Sequence, residues 1–190
     1  MTIGVGDLYL ERKLQSDLRE IYLLDPGEKS IEQARVTLGR TQDRAKVGYS
    51  QAIPYADGEF DYVVMSEVLE HLDNDVLAAT ISEVFRVLSP SGKFVGTVPY
   101  NEDIQAAQVM CPHSSEVFHR VGHVQSFTVE RLTGLLTRGF NEASVSVKVK
   151  FLPAVGILNW KGKLVAFLIK LLEKLGVYSS RSNLEFQAVK

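Results

Sequence analysis

One cysteine, Cys111, stands among 190 residues. An intrachain disulfide framework is thereby excluded, and a reducing, cytoplasmic setting is expected. Long apolar runs are missing too. The longest, Leu164 to Ile169, falls well short of the about 20 residues that a membrane-spanning helix needs. Charge of one sign is equally lacking, with 21 basic against 23 acidic side chains and a formal net charge of −2. No chain-wide positive field exists to hold nucleic acid, so none is expected as a partner. Asp7, Glu11, Arg12 and Lys13 interrupt any apolar stretch near Met1, so no secretory leader is expected. Repeats and low-complexity tracts are absent. What the chain does have is 45% apolar composition, enough for a single soluble globular domain over residues 1–190.

Helix and strand patterns alternate along it. Asp7 caps a helix carrying Leu8, Leu10 and Leu14, and Ile21 to Leu24 reads as a buried strand ending at Asp25-Pro26-Gly27. Ser30, with Gln33 three residues on, predicts the start of a second helix. Ala45 to Ser50 and Phe60 to Met65 are strand candidates, the latter following the Asp57-Gly58 turn signal. Apolar residues at Val76, Leu77, Ile81, Val84, Phe85 and Leu88 have the spacing of a buried helical face. Ser89 to Gly92 closes that helix, and Lys93 to Val98 is the next strand, parallel to the one before the helix. A polar, His-rich loop or lid at about 100–126 precedes a helix capped by Ser126 or Thr128 and stopped by Gly139. Asn141 to Phe151 alternates cleanly between apolar and polar, as an edge or antiparallel strand does, and Asn183 to Val189 makes a last strand.

In open α/β sheets, ligands bind beyond the carboxyl ends of the strands. The residues standing there are Gly4 and Gly6, then Asp25, then Gln51 and Ala52, then the run Ser66 to Leu72. Paired glycines let backbone approach a nucleotide, and a carboxylate roughly 20 residues later can accept ribose hydroxyls. This spacing serves dinucleotide and adenosyl ligands alike.

The run AIPYADGEFDYVVMSEVLEHL, continued by EVFRVLSPSGKFVGTVP, resembles class I (seven-strand) S-adenosylmethionine-dependent methyltransferases of the type 11-like subgroup. The matching positions are Pro54, Phe60, Asp61, Leu69, Glu70, His71, Arg86, Val87, Leu88, Pro90 and Gly92. The resemblance implies an α/β, Rossmann-like seven-strand sheet, mostly parallel with an antiparallel terminal strand, with helices on both faces. It implies S-adenosylmethionine as cofactor and methyl transfer to a small-molecule, sugar or lipid-linked glycan acceptor. It places Gly4, Gly6, Asp25, Gln51, Ala52 and Ser66 at the cofactor, Asp25 on the ribose, and His71 as a candidate base. Glu67 and Glu70 are expected to accept hydrogen bonds from loop backbone.

The chain departs from that pattern in its first motif. The first strand is truncated, Thr2 stands at the position of an acid, Leu8 at that of the third glycine, and Tyr49 at that of the adenine-binding acid. A Leu at Leu8 is expected to overpack the cofactor site by about 1–3 kcal/mol. The alternative function is therefore a catalytically impaired methyltransferase-like protein acting as a binding or assembly partner, in a homodimer or heteromer.

Two further features bear on function. The resemblance implies a Cys-Pro-x-Cys run followed by Phe-His-x-x-Gly-His, a zinc-like spacing. Here Cys111-Pro112-His113-Ser114 precedes His119 and His123, with Ser114 at the second Cys position, so no metal is expected. His119 and His123 are instead candidates to act at the acceptor side. A helix at about 160–176 carries a broad apolar arc with Lys163, Lys170 and Lys174 beside it. It suits either packing within the protein or peripheral membrane contact.

Overall fold

The computed structural model describes residues 1–14, 20–151, 165, 167 and 182–190. The expected amphipathic helix at 160–176 lies outside the described residues, apart from Val165 and Phe167, which are helical and exposed. No helix among the described residues is long and apolar enough to cross a membrane.

The elements are β1 (Thr2–Ile3), α1 (Tyr9–Leu14), β2 (Leu23–Asp25), α2 (Glu28–Leu38), β3 (Ala45–Val47), β4 (Phe60–Ser66), α3 (Asn74–Val87), β5 (Leu88–Pro99), β6 (Gln108–Met110), β7 (Val117–His119), α4 (Val129–Leu136), β8 (Val145–Phe151) and β9 (Ser182–Val189). Seven strands form one sheet in the order β3-β2-β1-β4-β5-β9-β8. The first five run parallel, and β9 is antiparallel to both β5 and β8. This is the Rossmann-like, mostly parallel sheet with an antiparallel terminal strand that the motifs imply. Strand order reverses at β1, which has β2 on one side and β4 on the other. The ends of those three strands therefore open onto a crevice.

Alternation along β2 shows how both faces are covered. Leu24 belongs to a core that includes Leu77, Ile81 and Val84 of α3 and Leu132 and Leu136 of α4. Leu23 faces the other way, into a smaller core with Ile31, Ala34 and Leu38 of α2. Arg86, near the end of α3, fastens the segment before β4. Its guanidinium donates to the Ile53 and Tyr55 carbonyls and to Glu83 and Asp57, and Glu83 accepts from Ile53 N–H.

Several local expectations are corrected. The second helix starts at Glu28 with Gly27 at its N-cap, not at Ser30, because Asp25 already holds the turn by accepting from Gly27 N–H at 2.7 Å. The third begins at Asn74, two residues before Val76, capped by Asp73, whose carboxylate accepts from Val76 N–H. Strand β5 follows it at once, absorbing Ser89 to Gly92 as a register shift opposite Phe60 and Tyr62. Helix α4 ends at Leu136 with Thr137 as its C-cap, within a residue of the expected end, and Gly139 N–H donates to Leu136 O at 3.1 Å; a Cβ on Gly139 would also lie 2.8 Å from Ile81 Cγ2. The loop or lid expected at about 100–126 contains a two-stranded ribbon of β6 and β7, on which Met110, Val117 and Phe118 are all exposed.

Candidate active site

Gly4 follows β1 with φ +80°, and a Cβ on it would lie 2.5 Å from Val68 Cγ2. No L side chain fits that combination of backbone and neighbour. Val5 N–H, at the crest of the same loop, donates to Asp25 Oδ2 at 3.0 Å, while Asp25 Oδ1 accepts from Gly27 N–H. Asp25 thus ties the glycine loop to the β2–α2 turn. A carboxylate has about four lone-pair sites, so two remain.

Leu8 overturns one expectation. It lies at φ +63°, the left-handed conformation that favours glycine, yet its side chain is only 1% exposed and packs with Val5, Ile21 and Ile31 in the smaller core. It does not enter the crevice. The left-handed backbone costs about 1–2 kcal/mol, and burying a Leu contributes about 1.5–3 kcal/mol, so the substitution is sustained by the core rather than by the site. Tyr49 is 60% exposed and stands at the rim.

The crevice itself is a cavity of about 450 Å³, within the range of small-molecule sites. Gly4, Gly6, Asp25, Gln51, Ser66 and His71 border it, and so do Tyr49, Glu67 and Val68. Ala52 does not; it closes the neighbouring turn by donating to Tyr49 O. Ser66 is held by a 2.8 Å hydrogen bond between its hydroxyl and that of Thr97. Glu67 has φ +56°, donates its N–H to Thr97 O, and accepts from the Asn183 amide at 2.8 Å rather than from loop backbone. Strained backbone at a cleft mouth is a common mark of a working site.

A smaller cavity of about 230 Å³ adjoins, sharing Gly4, Gly6, Ser66 and Glu67 and adding Glu11. Glu11 was missed by sequence reading because a charged residue one turn into a helix is usually a solvated one. Here it is buried, and burial pushes its carboxyl above the usual range. The folded protein therefore holds this proton more tightly than the unfolded chain. Stability is lost as pH rises past the unfolded pKa of about 4.3 and is lost in full above the folded value. Glu11→Gln is expected to raise the melting temperature at pH 7 and to leave it unchanged at pH 4. An equal rise at both pH values would contradict this account.

The three candidate histidines gather at the far end of the Leu69–His71 3₁₀ turn. His123 stacks on His119 and meets His71 edge-on, each at 4.8 Å between ring centroids. Only His71 borders the cavity. Burial lowers its pKa, so the ring is neutral at pH 7. Glu70, expected to accept from backbone, is fully buried, and neither carboxylate oxygen has a hydrogen-bond partner. Burial pushes its pKa up to about 8. Val124 N–H donates to Glu70 O and the Gln125 amide donates to Leu72 O, so the end of the 100–126 segment is pinned to this turn. Cys111 and His113 are not among the side chains that converge here.

Glycine loop, switch-point crevice and a carboxylate at the end of β2 together define a Rossmann-like nucleotide-binding α/β domain. Within that class the chain belongs to the methyltransferase domain family, whose model matches residues 1–96. A demethylmenaquinone methyltransferase of Leptospira interrogans is 29% identical over 97 residues, which cover 48% of this chain and 38% of that protein. The chain thus matches well under half the length of that relative. Among solved structures, a SAM-dependent methyltransferase from Methanosarcina mazei has a TM-score of 0.67 at 18% identity, covering 100% of this chain and 90% of its own. A Haloferax volcanii protein solved in complex with the Trm112 methyltransferase activator has a TM-score of 0.61 at 18% identity, covering 99% and 79%. The family and fold imply S-adenosylmethionine as the cofactor.

Proposed function

We propose that this chain transfers a methyl group from S-adenosylmethionine to a small-molecule, sugar or lipid-linked acceptor. The observation that carries the reading is the Asp25 carboxylate, anchored by Val5 and Gly27 N–H with lone pairs to spare, at the rim of a 450 Å³ cavity. Bound there, the cofactor supplies an electrophilic sulfonium methyl. The free Asp25 lone pairs suit two ribose hydroxyls, Gln51 and Tyr49 suit the edge and face of an adenine, and Ser66 borders the amino-acid end. Glu11 and Glu67 at the smaller cavity suit an ammonium group. Gly4 leaves the room that a side chain would take.

Methyl transfer requires in-line approach and exclusion of water more than it requires a strong base. The chain's part is to position both partners, with the pinned segment at about 100–126 covering the acceptor side. His71, neutral and at the cavity edge, is the candidate to take a proton from an acceptor hydroxyl or amine. The curated relative acts on a demethylmenaquinone by name, which makes a lipid-linked acceptor a specific case to assay.

Calorimetric titration with S-adenosylmethionine tests the reading. One-to-one binding with micromolar affinity is expected, with S-adenosylhomocysteine competing. No heat at millimolar cofactor would overturn it and leave the alternative role, assembly with an active partner.

A further inference from the structure

We propose that Glu70, His71 and His123 form a binding site for a divalent metal ion of the zinc type. Their ligand atoms all lie within 4.8 Å of one another, from two segments more than 50 residues apart in sequence. In each ring one nitrogen is already engaged, which leaves the other as the ligand atom. His71 Nδ1 is 3.1 Å from Gly122 O and donates its proton there, which leaves the Nε2 lone pair free. His123 Nδ1 is 2.5 Å from Glu102 Oε2, so its proton is held on that side and Nε2 is turned toward Glu70. Such a carboxylate–imidazole or carbonyl–imidazole pair behind each ligand fixes the tautomer a metal needs.

Glu70 supplies the second observation. It is 0% exposed, and both oxygens lack a hydrogen-bond partner. The His123 Nε2 atom is 3.7 Å away, too far for a hydrogen bond. A tetrahedral ion with ligands at about 2.1 Å would set ligand atoms about 3.4 Å apart. The His123–Glu70 pair, at 3.7 Å, is already near that spacing, and the set as a whole, within 4.8 Å, closes by side-chain rotation about the ion. A buried carboxylate without partners is costly, and a cation removes that cost. In the other nearby set, Glu102, His119 and His123, the Glu102 carboxylate is already engaged by His123 Nδ1 at 2.5 Å, the contact that holds the His123 ring. One carboxylate and two imidazoles leave a fourth position for water or an acceptor oxygen. With an ion bound, His71 Nε2 is a ligand, so the base role proposed for His71 belongs to the ion-free protein alone. Of the three ligands, His71 borders the larger cavity.

The sequence pattern around Cys111 does not reveal this set, since neither Cys111 nor His113 belongs to it. The test is titration of chelator-treated protein with Zn²⁺ alone, and with Co²⁺ read by visible absorption. One-to-one Zn²⁺ binding with micromolar or tighter affinity is expected, with the intense d–d bands of tetrahedral Co²⁺. His123→Ala and the isosteric Glu70→Gln should each weaken Zn²⁺ by about tenfold or more. Glu102→Gln should weaken it about 10–100-fold through His123, and His113→Ala should leave it unchanged. Absence of one-to-one binding overturns the proposal, and so does binding that survives Glu70→Gln and His123→Ala but is lost in His113→Ala. Should a variant fail to fold, anomalous diffraction from wild-type crystals grown with Zn²⁺ decides: density between Glu70, His71 and His123 supports the site, and its absence there refutes it. The readout needs no S-adenosylmethionine, so this outcome is separable from that of the cofactor titration.

Discussion

Replacing Asp25 with Ala is expected to weaken S-adenosylmethionine binding by about a hundredfold. Hydrogen bonds to a charged group contribute about 1.5–3 kcal/mol, and each 1.4 kcal/mol is tenfold in affinity. In the proposed role Asp25 offers the ligand two acceptor sites, and it holds the glycine loop through Val5 N–H at 3.0 Å and Gly27 N–H at 2.7 Å. Asp25→Ala strands both donors, so the melting temperature should fall as well, in proportion to about 1–3 kcal/mol for each donor left unpaired. Asp25→Asn separates the two roles. Its single acceptor oxygen can satisfy one backbone donor, while its amide meets the other unfavourably, and an intermediate affinity follows. Calorimetry and thermal melts on the same samples supply both numbers. A lowered melting temperature with unchanged cofactor affinity would refute contact with the ribose and leave Asp25 as a brace for the loop.

The Leu-Glu-His turn and the Arg-Val-Leu-x-Pro-x-Gly run were legible because each packs a local pattern of residues into a short stretch. Arg86 shows the reason in physical terms: its guanidinium reaches the Ile53 and Tyr55 carbonyls, so the run clamps the wall that carries Tyr49 and Gln51. Strand and helix alternation also carried the sheet, because burial on both faces demands it. Leu8 was misread for an equally physical reason. Residue identity says that a branched side chain occupies a glycine position, but not which way it turns, and the open core beneath Ile21 and Ile31 draws it inward. Glu11 and Glu70 escaped notice as unusual because carboxylates are ordinarily exposed, and only the folded neighbours bury them. The convergence of Glu70, His71 and His123 is non-local, joining the turn after β4 to the end of the lid. No spacing rule along the chain reports it.

Gly96→Ala is expected to destabilise the protein by at least about 3 kcal/mol, a large share of the about 5–15 kcal/mol that holds a domain folded. Gly96 lies in β5 opposite Met65 of β4 and Phe186 of β9. A Cβ there would come within 1.8 Å of Met65 O and 2.6 Å of Phe186 Cζ. The ring can rotate, but the carbonyl belongs to the strand backbone, so relief requires β4 and β5 to separate. Ser66 and Glu67 follow Met65 directly and are tied to Thr97, the residue after Gly96. Any separation is thereby delivered to the mouth of the cavity, and the folded fraction should lose cofactor affinity along with stability. Denaturant melts of Gly96→Ala and of a double variant with Phe186→Leu test the cause. Backbone obstruction predicts no rescue by the smaller side chain. A single variant within about 1 kcal/mol of wild type, or full rescue by Phe186→Leu, would mean that the two central strands are held apart by side chains rather than in contact through their main chains.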